Sequence, residues 1–589
     1  MAHRSWRRRG ARIATVGLSV LVTLVGPAAA ERVLGTSAGE TLRGTAGADR
    51  LYGRAGEDRI FGLAGADVLS GGPNADRIWG GNGRDRLLSR DGVADIVVCG
   101  PGLDVAIVDR LDLVHLSCET VEEPAAHHDA PSSPVAVENA KPGTPGWGAF
   151  DLAPPRAIEA YAPPSAAPGE MLPFSVSTDP AAGYRILIYR MGSYGGVGAR
   201  RVACVPSCDG SLDGEPRSIP APSPEGLVHA GWPLSARLEI PADWVSGYYL
   251  VHFQLVTGPY VGKTTTTWFL LREGARRRAP ILVQGSPTTW QAYNGWGGGS
   301  LYEFNSPGGR RAAKVAFDRP YDQPLEQRPE ALELPLVRFV ERLGYDVAYQ
   351  ADVDTARDPS SLRGRRVVAV AGHSEYWSKS MRDAFDDARK AGTNLAFFGA
   401  NAAYWQVRFE DDFRTIVGYK SSAWDPETDP SLETDLFRAL RPPRHECALM
   451  GIQHAGGMLN WTADGDYAVT SAAASDPWLR AAGFTAGAVV HGVVSREVDT
   501  IPGNQSPADS CGNRLTVLFH RELGTAEEGD ADAVSFTAPS GAKVFATGSH
   551  QFVWGLEDIP EVTRMRHGVV DSRLQAFVRA MLDDMVGPS

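Results

Sequence analysis

Residues 367–405 read VVAVAGHSEYWSKSMRDAFDDARKAGTNLAFFGANAAYW, and they set the architecture of the C-terminal half. The apolar runs at 367–371 and 395–398 predict two buried strands. The segment between them predicts a helix that Ser378 caps and Gly392 ends. This alternation indicates a mostly parallel sheet. Because residues just past the carboxyl ends of parallel strands line a ligand crevice, we expect the turns HSEYWS and GANAAYW to face one site.

The same alternation of strand and helix extends from about residue 279 to the C-terminal end. It predicts an α/β three-layer domain with a mostly parallel sheet. Further strands are predicted at residues 281–284, 346–350, 487–490, 515–519 and 543–547, with a helix at 335–343.

The preceding segment, residues 147–272, instead alternates short strands with turns rich in Gly and Pro. This spacing is typical of an all-β sandwich, and we predict a jelly-roll-like domain. Its Gly-rich loop at 189–202 carries three arginines, which suit either the binding of an anionic group or a sandwich edge.

Residues 35–88 repeat every nine positions as G-x-x-G-x-D-x-(apolar)-x. Each short strand would bury one apolar side chain in a solenoid, and the turns would collect carbonyl and carboxylate oxygens that suit Ca²⁺. The pattern resembles the hemolysin-type (RTX) calcium-binding repeat, with a flexible glycine-rich linker as the alternative. The predicted calcium ligands are Asp49, Asp58, Asp67, Asp76 and Asp85, and the predicted core residues are Leu51, Ile60, Leu69, Ile78 and Leu87.

The N-terminal 30 residues have the three parts of a signal peptide: a basic start, a short apolar run and the small residues Ala28-Ala29-Ala30. A transmembrane anchor would need a longer apolar run, so we predict secretion and no transmembrane segment. Six cysteines fit an oxidising destination. Proximity favours the pairs Cys99–Cys118 and Cys204–Cys208, which leaves Cys447 with Cys511, although other pairings remain open.

Composition and missing motifs exclude several classes of function. The formal net charge of −12 argues against a nucleic-acid partner. The sequence contains no G-x-S-x-G, H-E-x-x-H or Walker motif, so the common serine hydrolases, zinc proteases and nucleotide hydrolases are not indicated.

Five segments of the C-terminal half resemble the large (β) subunit of N,N-dimethylformamidase: residues 287–302, HSEYWS, GANAAYW, the REVD turn and GSHQFVWGL at 548–556. The resemblance covers about residues 147–585. It implies a ferric iron site formed by two tyrosinates and one glutamate, carried here by Tyr376, Tyr404 and Glu497. It also implies hydrolysis of a small amide, and a small partner subunit or a homo-oligomer.

The chemistry of these residues agrees with that implication. Three anionic oxygens suit a hard trivalent cation. His373 or Glu375 would move a proton from water to the leaving amine, and Asn401 or His550 would support the oxyanion. The resulting prediction is a secreted, iron-dependent amidohydrolase with calcium-binding repeats.

Simpler interpretations of the same residues remain open. Tyr376 and Tyr404 each precede a tryptophan and would also suit aromatic packing, while Glu497 would suit a surface salt bridge. His373 would also serve as a hydrogen-bonded turn residue. The alternative function is a non-catalytic, calcium-dependent extracellular binding or adhesion protein.

The predicted domain organisation is a signal peptide at 1–30, a calcium-binding β-roll with a disulfide cap at 31–121, a linker at 122–146, a β-sandwich at 147–275 and an α/β domain at 276–589.

Overall fold

The computed structural model describes residues 31–91, 93–109, 112–115, 117–122, 133–148, 151–275, 277–322, 329–458, 465–471, 475–494, 497–503, 505–522, 530–557, 559 and 570–587. The predicted signal peptide lies outside the described residues, as do residues 123–132 of the predicted linker. The chain forms two compact units. The first runs to Ser89 and includes Val97–Ile107 and Ser117–Val121, and the second contains the rest of the chain.

The N-terminal strands are very short, as a nine-residue repeat requires. Strands β1, β3, β5, β7 and β9 pair in parallel in one sheet, and β2, β4 and β6 pair in parallel in a second. This arrangement confirms the predicted parallel β-roll. The strands are β1 (Arg32–Leu34), β2 (Thr41–Arg43), β3 (Arg50–Tyr52), β4 (Arg59–Ala64), β5 (Val68–Ser70), β6 (Arg77–Asn82), β7 (Arg86–Leu88), β8 (Ile96–Val98), β9 (Val105–Ile107), β10 (Leu113–Val114) and β11 (Thr120–Glu122).

The interior of the roll follows the repeat. The five predicted apolar residues, from Leu51 to Leu87, have no solvent exposure, because each strand turns its central side chain inward. A disulfide joins Cys99 to Cys118 beyond the last repeat. The other two disulfides join Cys204 to Cys208 and Cys447 to Cys511, so all three predicted pairings are confirmed.

The C-terminal part of the predicted linker is a helix, α1 (Pro134–Asn139). The Ser133 side chain accepts a hydrogen bond from the Ala136 N–H, and Val135 is buried. Asn139 donates to Glu341 at 2.7 Å. Local capping and one buried apolar side chain therefore order a segment whose overall composition suggested a linker.

Two sheets follow, with a shared apolar core that includes Phe174, Ile186 and Phe253. One has the order β12-β14-β18 and the other β13-β20-β19-β15-β16, with β17 on β15. Apart from the parallel pair β13–β20, their pairing is antiparallel. The strands are β12 (Glu159–Tyr161), β13 (Ser165–Ala166), β14 (Met171–Ser177), β15 (Ala182–Met191), β16 (Ala199–Val205), β17 (Leu212–Gly214), β18 (Ala236–Glu239), β19 (Gly247–Leu255) and β20 (Thr264–Leu271).

The rest of the second unit is built on a nine-stranded sheet with the order β23-β21-β24-β26-β35-β34-β33-β30-β31. Its elements are β21 (Ile281–Gly285), α2 (Pro287–Ala292), β22 (Lys314–Ala316), α3 (Pro329–Leu332), α4 (Leu334–Arg342), β23 (Val347–Ala351), α5 (Asp352–Arg357), β24 (Val367–Ala371), β25 (Tyr376–Ser378), α6 (Lys379–Lys390), β26 (Asn394–Phe398), β27 (Trp405–Glu410), β28 (Thr415–Val417), α7 (Cys447–Met450), β29 (Gln453–Met458), β30 (Gly465–Val469), α8 (Pro477–Ala481), β31 (Val489–Val494), β32 (Glu497–Thr500), β33 (Thr516–Arg521), β34 (Ala531–Thr537), β35 (Lys543–Ala546) and α9 (Ser572–Val586).

Only half of this sheet is parallel, which differs from the predicted mostly parallel sheet. Pairing is parallel from β23 to β35 and antiparallel from β35 to β31. The turn between β34 and β35 spans only residues 538–542. A parallel connection needs a crossover of a dozen or more residues, so this short turn imposes antiparallel pairing.

The predicted turn HSEYWS is a turn only in its first half. Tyr376 begins β25, which pairs in parallel with β27 so that Tyr376 lies opposite Trp405. These strands belong to a small sheet with the order β22-β28-β27-β25. Both aromatic residues are thus held by backbone pairing.

A buried ion pair joins the sandwich to the nine-stranded sheet within the second unit. The Arg190 guanidinium on β15 binds both carboxylate oxygens of Glu341 on α4, at 2.8 and 3.0 Å. Across the residues that the structure describes, no helix has the length and apolar character needed to cross a membrane.

Candidate functional site

Three neighbouring parallel strands end at the candidate site. His373 and Glu375 follow β24, Asn401 follows β26, and His550 follows β35. Because β24, β26 and β35 are adjacent in the sheet, their carboxyl ends bring these side chains together. Asn401 adopts a left-handed conformation, with φ of 51°, so the chain turns sharply at this point.

Glu497 reaches the same place from far along the chain. It begins β32, whose Val498 forms a bridge with Ser549. The Asp499 N–H donates to the Gly548 carbonyl at 3.0 Å. The backbone of β32 is therefore fixed beside the residue that precedes His550.

The Glu497 carboxylate is the point where three of the predicted residues converge. Its Oε2 accepts a hydrogen bond from Asn401 Nδ2 at 2.7 Å and lies 3.2 Å from His373 Nε2. His550 Nε2 lies 3.9 Å from the same oxygen. Ligand atoms of His373, Glu497 and His550 all lie within 4.8 Å of one another, which is close enough to hold a metal ion.

Glu375 is held by two tyrosines that sequence reasoning did not single out. The hydroxyls of Tyr293 and Tyr302 each donate to its carboxylate, the former at 2.9 Å. His373 Nε2 lies 3.5 Å from the same carboxylate. Both tyrosines belong to the aromatic, glycine-rich segment at 287–302, and that composition was the available signal.

The charges of this cluster stabilise one another. Burial alone would raise the pKa of Glu497, but His373, His550 and His454 outweigh burial and hold that pKa below its usual value. Burial opposes protonation of His373, but Glu497 and Glu375 raise the pKa of its imidazole above the usual value. Both shifts favour an ion pair between His373 and Glu497.

Tyr376 is completely buried, and its hydroxyl makes no hydrogen bond to any residue that the structure describes. Burial and the nearby Glu375 raise the pKa of its phenol well above the usual value. A phenol in such a place ionises at neutral pH only beside a strong cation, so this side chain fits a trivalent metal.

Lys420 is a second group that the sequence did not reveal. Its Nζ lies 3.4 Å from the ring centroid of Tyr302 and 5.0 Å from that of Tyr376. Trp405 contributes a third ring, at 4.8 Å. Burial lowers the pKa of Lys420 to about 7. The aromatic rings thus hold an amine, whose charge burial disfavours, beside the buried tyrosines.

Tyr404 is half-buried and lies at another edge of the site. Its backbone N–H donates to the Glu375 carbonyl at 3.0 Å. Its ring contacts the His454 ring, with centroids 5.3 Å apart, and Arg438 lies over it. Burial raises the pKa of Tyr404, and the carboxylates of Glu375 and Glu497 add to that effect.

His491, which also follows a predicted strand, does not lie in this cluster. Its side chain is exposed and pairs with Asp466 at 2.8 Å. In that segment it is Glu497, and not His491, that lies in the cluster.

The first unit contains a separate set of acidic side chains. The five predicted calcium ligands, from Asp49 to Asp85, are each only 1% exposed. The Oδ2 atoms of Asp58, Asp67 and Asp85 accept no hydrogen bond from the described residues. Burial raises the pKa of Asp67 to about 6. Buried carboxylate oxygens without a donor fit a hard cation such as Ca²⁺.

Comparison with known protein families gives two matches. Residues 34–69 and 62–93 match the RTX calcium-binding nonapeptide repeat, which implies calcium binding by the first unit. No curated protein matches the chain. Residues 185–566, more than half of the chain, match the family described as N,N-dimethylformamidase beta subunit-like, C-terminal. On this match, and with the converging residues at the strand ends, the chain belongs to the N,N-dimethylformamidase beta subunit-like C-terminal family.

Proposed function

We propose that this protein is a secreted, iron-dependent hydrolase of a small amide, with calcium-stabilised repeats at its N-terminal end. The observation that carries the proposal is the convergence of His373, Asn401 and His550 on the Glu497 carboxylate. Extracellular location is supported by the RTX repeats and the three disulfides.

The proposed iron ligands are Tyr376, Tyr404 and Glu497. Support comes from the buried, unpartnered Tyr376 hydroxyl and from the carboxylate of Glu497, which is held in its charged form. When bound, ferric iron supplies Lewis acidity toward an amide carbonyl and toward water.

The remaining residues of the site handle protons and orientation. The His373 imidazole lies between the carboxylates of Glu375 and Glu497, at 3.5 and 3.2 Å, so it can pass a proton to the leaving amine. Tyr293 and Tyr302 fix the Glu375 carboxylate, which would accept a proton from the attacking water.

We assign Asn401 a role other than the oxyanion support expected from the sequence. Its Nδ2 already donates to Glu497, so we assign it the orientation of that carboxylate. His550 Nε2 lies 3.1 Å from the Ala400 carbonyl, which fixes its ring beside Glu497. Oxyanion support by His550 would require that ring to turn toward the substrate.

The decisive experiment measures iron, colour and activity together in the purified full-length protein. Metal analysis should find about one iron per chain, and visible spectroscopy should show a tyrosinate-to-iron absorption band. Tyr376→Phe should lose that band and the release of amine from N,N-dimethylformamide and related amides. Tyr260→Phe, outside the site, is the matched control.

Two outcomes would overturn the proposal. The first is full amide hydrolysis by protein that contains no iron. The second is iron-loaded protein that hydrolyses none of the amides, which would favour the non-catalytic binding protein. The need for a small subunit or a homo-oligomer is tested in the same assay by comparing specific activity across protein concentrations.

A further inference from the structure

Arg319 carries a guanidinium group in the second unit that has no solvent exposure. Its nitrogens donate to the backbone carbonyl oxygens of Asn294 at 2.6 Å, Trp296 at 3.1 Å and Gly299 at 3.3 Å. Its longest bonds, at 3.5 Å, reach the backbone and side-chain carbonyls of Gln291. In the described part of the chain, all hydrogen bonds of this guanidinium thus go to carbonyl oxygens of one short segment.

A buried cation needs such compensation. A charge that leaves water for a protein interior without polar partners is strongly destabilised, so buried charges are normally paired with an acid. Burial lowers the pKa of Arg319 to about 10, although the nearby Tyr321 and Asp322 oppose the change. The carbonyl dipoles of the segment stabilise the charge instead. The segment therefore cannot move away from Arg319 without leaving a buried charge unsatisfied.

The segment, residues 291–299, depends on this contact for its own shape. Helix α2 ends at Ala292, and residues 293–306, all of which the structure describes, form no helix or strand. Gly297 has a φ of 73°, a conformation that glycine adopts readily. Because a guanidinium has five N–H donors in a rigid fork, it can hold several carbonyls at once. Arg319 thus replaces the backbone hydrogen bonds that would fix a helix or strand.

The two tyrosines that hold Glu375 lie close to the ends of this segment. Tyr293 is near its start, and Tyr302 follows its end by three residues. The Leu301 N–H donates to the Ala292 carbonyl at 2.8 Å, which closes the segment into a loop. The two phenol oxygens lie 3.0 Å apart, and both donate to the carboxylate. The shape that the guanidinium gives this loop therefore sets the positions of both hydroxyls.

We propose that Arg319 is a positioning residue of the candidate site, which acts through Tyr293 and Tyr302 on the Glu375 carboxylate. This inference rests on the proposed amide hydrolysis, in which Glu375 accepts a proton from the attacking water. A reacting group misplaced by about 1 Å can cost roughly 100-fold in rate, so the guanidinium controls turnover without touching the substrate. Lysine cannot replace it, because an ammonium is a single point charge with three donors.

Arg319→Lys tests the assignment in the full-length, iron-loaded protein. We expect kcat to fall roughly 10–100-fold with KM changed less than about threefold, because the substrate still binds while the proton acceptor is misplaced. Arg389→Lys is the matched control. The Arg389 guanidinium on α6 also binds two backbone carbonyls, those of Ala448 and Leu449, so this variant should keep the parent kcat.

The same substitution in Tyr302→Phe distinguishes positioning from a general loss of stability. In that background one route from Arg319 to Glu375 is already broken, so Arg319→Lys should lower kcat by a smaller factor than it does in the parent protein. Equal factors in the two backgrounds would overturn the proposal.

Hydrogen exchange separates a failure of this inference from a failure of the proposed function. In Arg319→Lys, the amides of residues 294–301 should exchange faster than in the parent protein, while β21 keeps the parent rate. Unchanged exchange at 294–301 would overturn the proposal, whatever the activity. If the parent protein hydrolyses no amide, the proposed function fails, and exchange at 294–301 alone decides whether Arg319 fixes the segment.

The parent protein covers the case in which Arg319→Lys fails to fold. Although residues 294–301 form no helix or strand, their hydrogen-bonded amides should exchange at least about 100-fold more slowly than in an unstructured peptide. Unprotected amides in the folded parent protein would also overturn the proposal.

Discussion

The Glu497 carboxylate lies 3.2 Å from the His373 imidazole, although 124 residues separate them in the chain. The two groups meet because β32 is fixed beside the residues that follow β35, while His373 follows β24 of the same sheet. Each group holds the other in its charged form, so a change at either one should alter both metal retention and proton transfer.

Glu497→Gln should impair both iron retention and proton transfer. The amide is neutral, so it removes an anionic oxygen from the proposed iron ligands and the partner that keeps His373 protonated. We expect less than a tenth of the parent iron content and a fall in kcat/KM of roughly 100-fold or more, equal to about 3 kcal/mol. Metal analysis and steady-state kinetics check both. Glu215→Gln, at an exposed glutamate, should change neither, and an active Glu497→Gln would refute the assignment.

Tyr302→Phe should separate proton transfer from iron binding. It removes a hydrogen bond to the charged Glu375 carboxylate, a contact worth about 1.5–3 kcal/mol, while Tyr376, Tyr404 and Glu497 remain. We expect kcat to fall roughly 10–100-fold with the iron content unchanged. Loss of iron in this variant would instead place Tyr302 among the metal ligands.

Glu341→Gln should lower the stability of the second unit strongly. It leaves the buried Arg190 guanidinium without its carboxylate, and breaking a buried ion pair in this way costs about 3–5 kcal/mol. Denaturant unfolding should show the loss. Asp387→Asn breaks the exposed pair with Lys390 and should cost no more than about 0.5 kcal/mol. Equal losses of unfolding free energy in the two variants would contradict the prediction that the buried ion pair matters more than the exposed one.

His252 should make the sandwich less stable in mild acid. Burial lowers the pKa of His252 to about 3, whereas the unfolded chain has the usual value of 6.5. The unfolded state therefore binds a proton between these values, so stability is complete above pH 6.5 and falls as pH decreases toward 3. The loss at pH 5 should be about 2 kcal/mol.

The check is denaturant unfolding at pH 7.5 and pH 5. His252→Leu should lose less stability between these pH values than the parent protein, whatever its stability at pH 7.5. His445→Gln, at an exposed histidine, is the control and should keep the parent pH dependence. A His252→Leu variant with the full acid loss would contradict the prediction.

Chelation of calcium should destabilise the first unit. Without a cation, the buried Oδ2 atoms of Asp58 and Asp67 lack a partner among the described residues. Hydrogen exchange in EGTA should accelerate across residues 41–88, and added calcium should restore slow exchange. Amide hydrolysis measured in the same EGTA-treated protein tests the adhesion alternative. Hydrolysis that survives chelation would show that the second unit acts as an enzyme without calcium in the first.

Much of this architecture was predictable because periodicity fixes it. A nine-residue repeat of Asp and one apolar residue determines which side chains enter the roll, and Leu51 to Leu87 are buried accordingly. The strands on either side of α6 were equally clear. The turns near those strands carry His373 and Asn401, and both side chains lie at the Glu497 carboxylate. His550 follows β35, so its place beside them, like that of Glu497, depends on sheet order, which periodicity does not encode.

Other features depend on contacts between distant segments. Tyr293, Tyr302 and Lys420 surround Glu375 and Tyr376 only after β27 and β28 pair with the neighbouring strands, and no local pattern specifies that pairing. The antiparallel half of the large sheet was missed because strand propensity is the same for either direction. The helix α1 was not predicted because the composition of its segment is that of a linker. The capping Ser133 and the buried Val135 are local signals for a helix there.

The alternation of the roll between two sheets sets how such a chain can change in length. Each aspartate pairs with the one two units further on, as Asp49 does with Asp67, so the pairing depends on the spacing of whole units. Gain or loss of one nine-residue unit moves all later strands together to the opposite sheet and keeps that spacing. Gain or loss of part of a unit would place an aspartate where an apolar side chain belongs. Related chains should therefore differ in the length of the roll by whole units of nine residues.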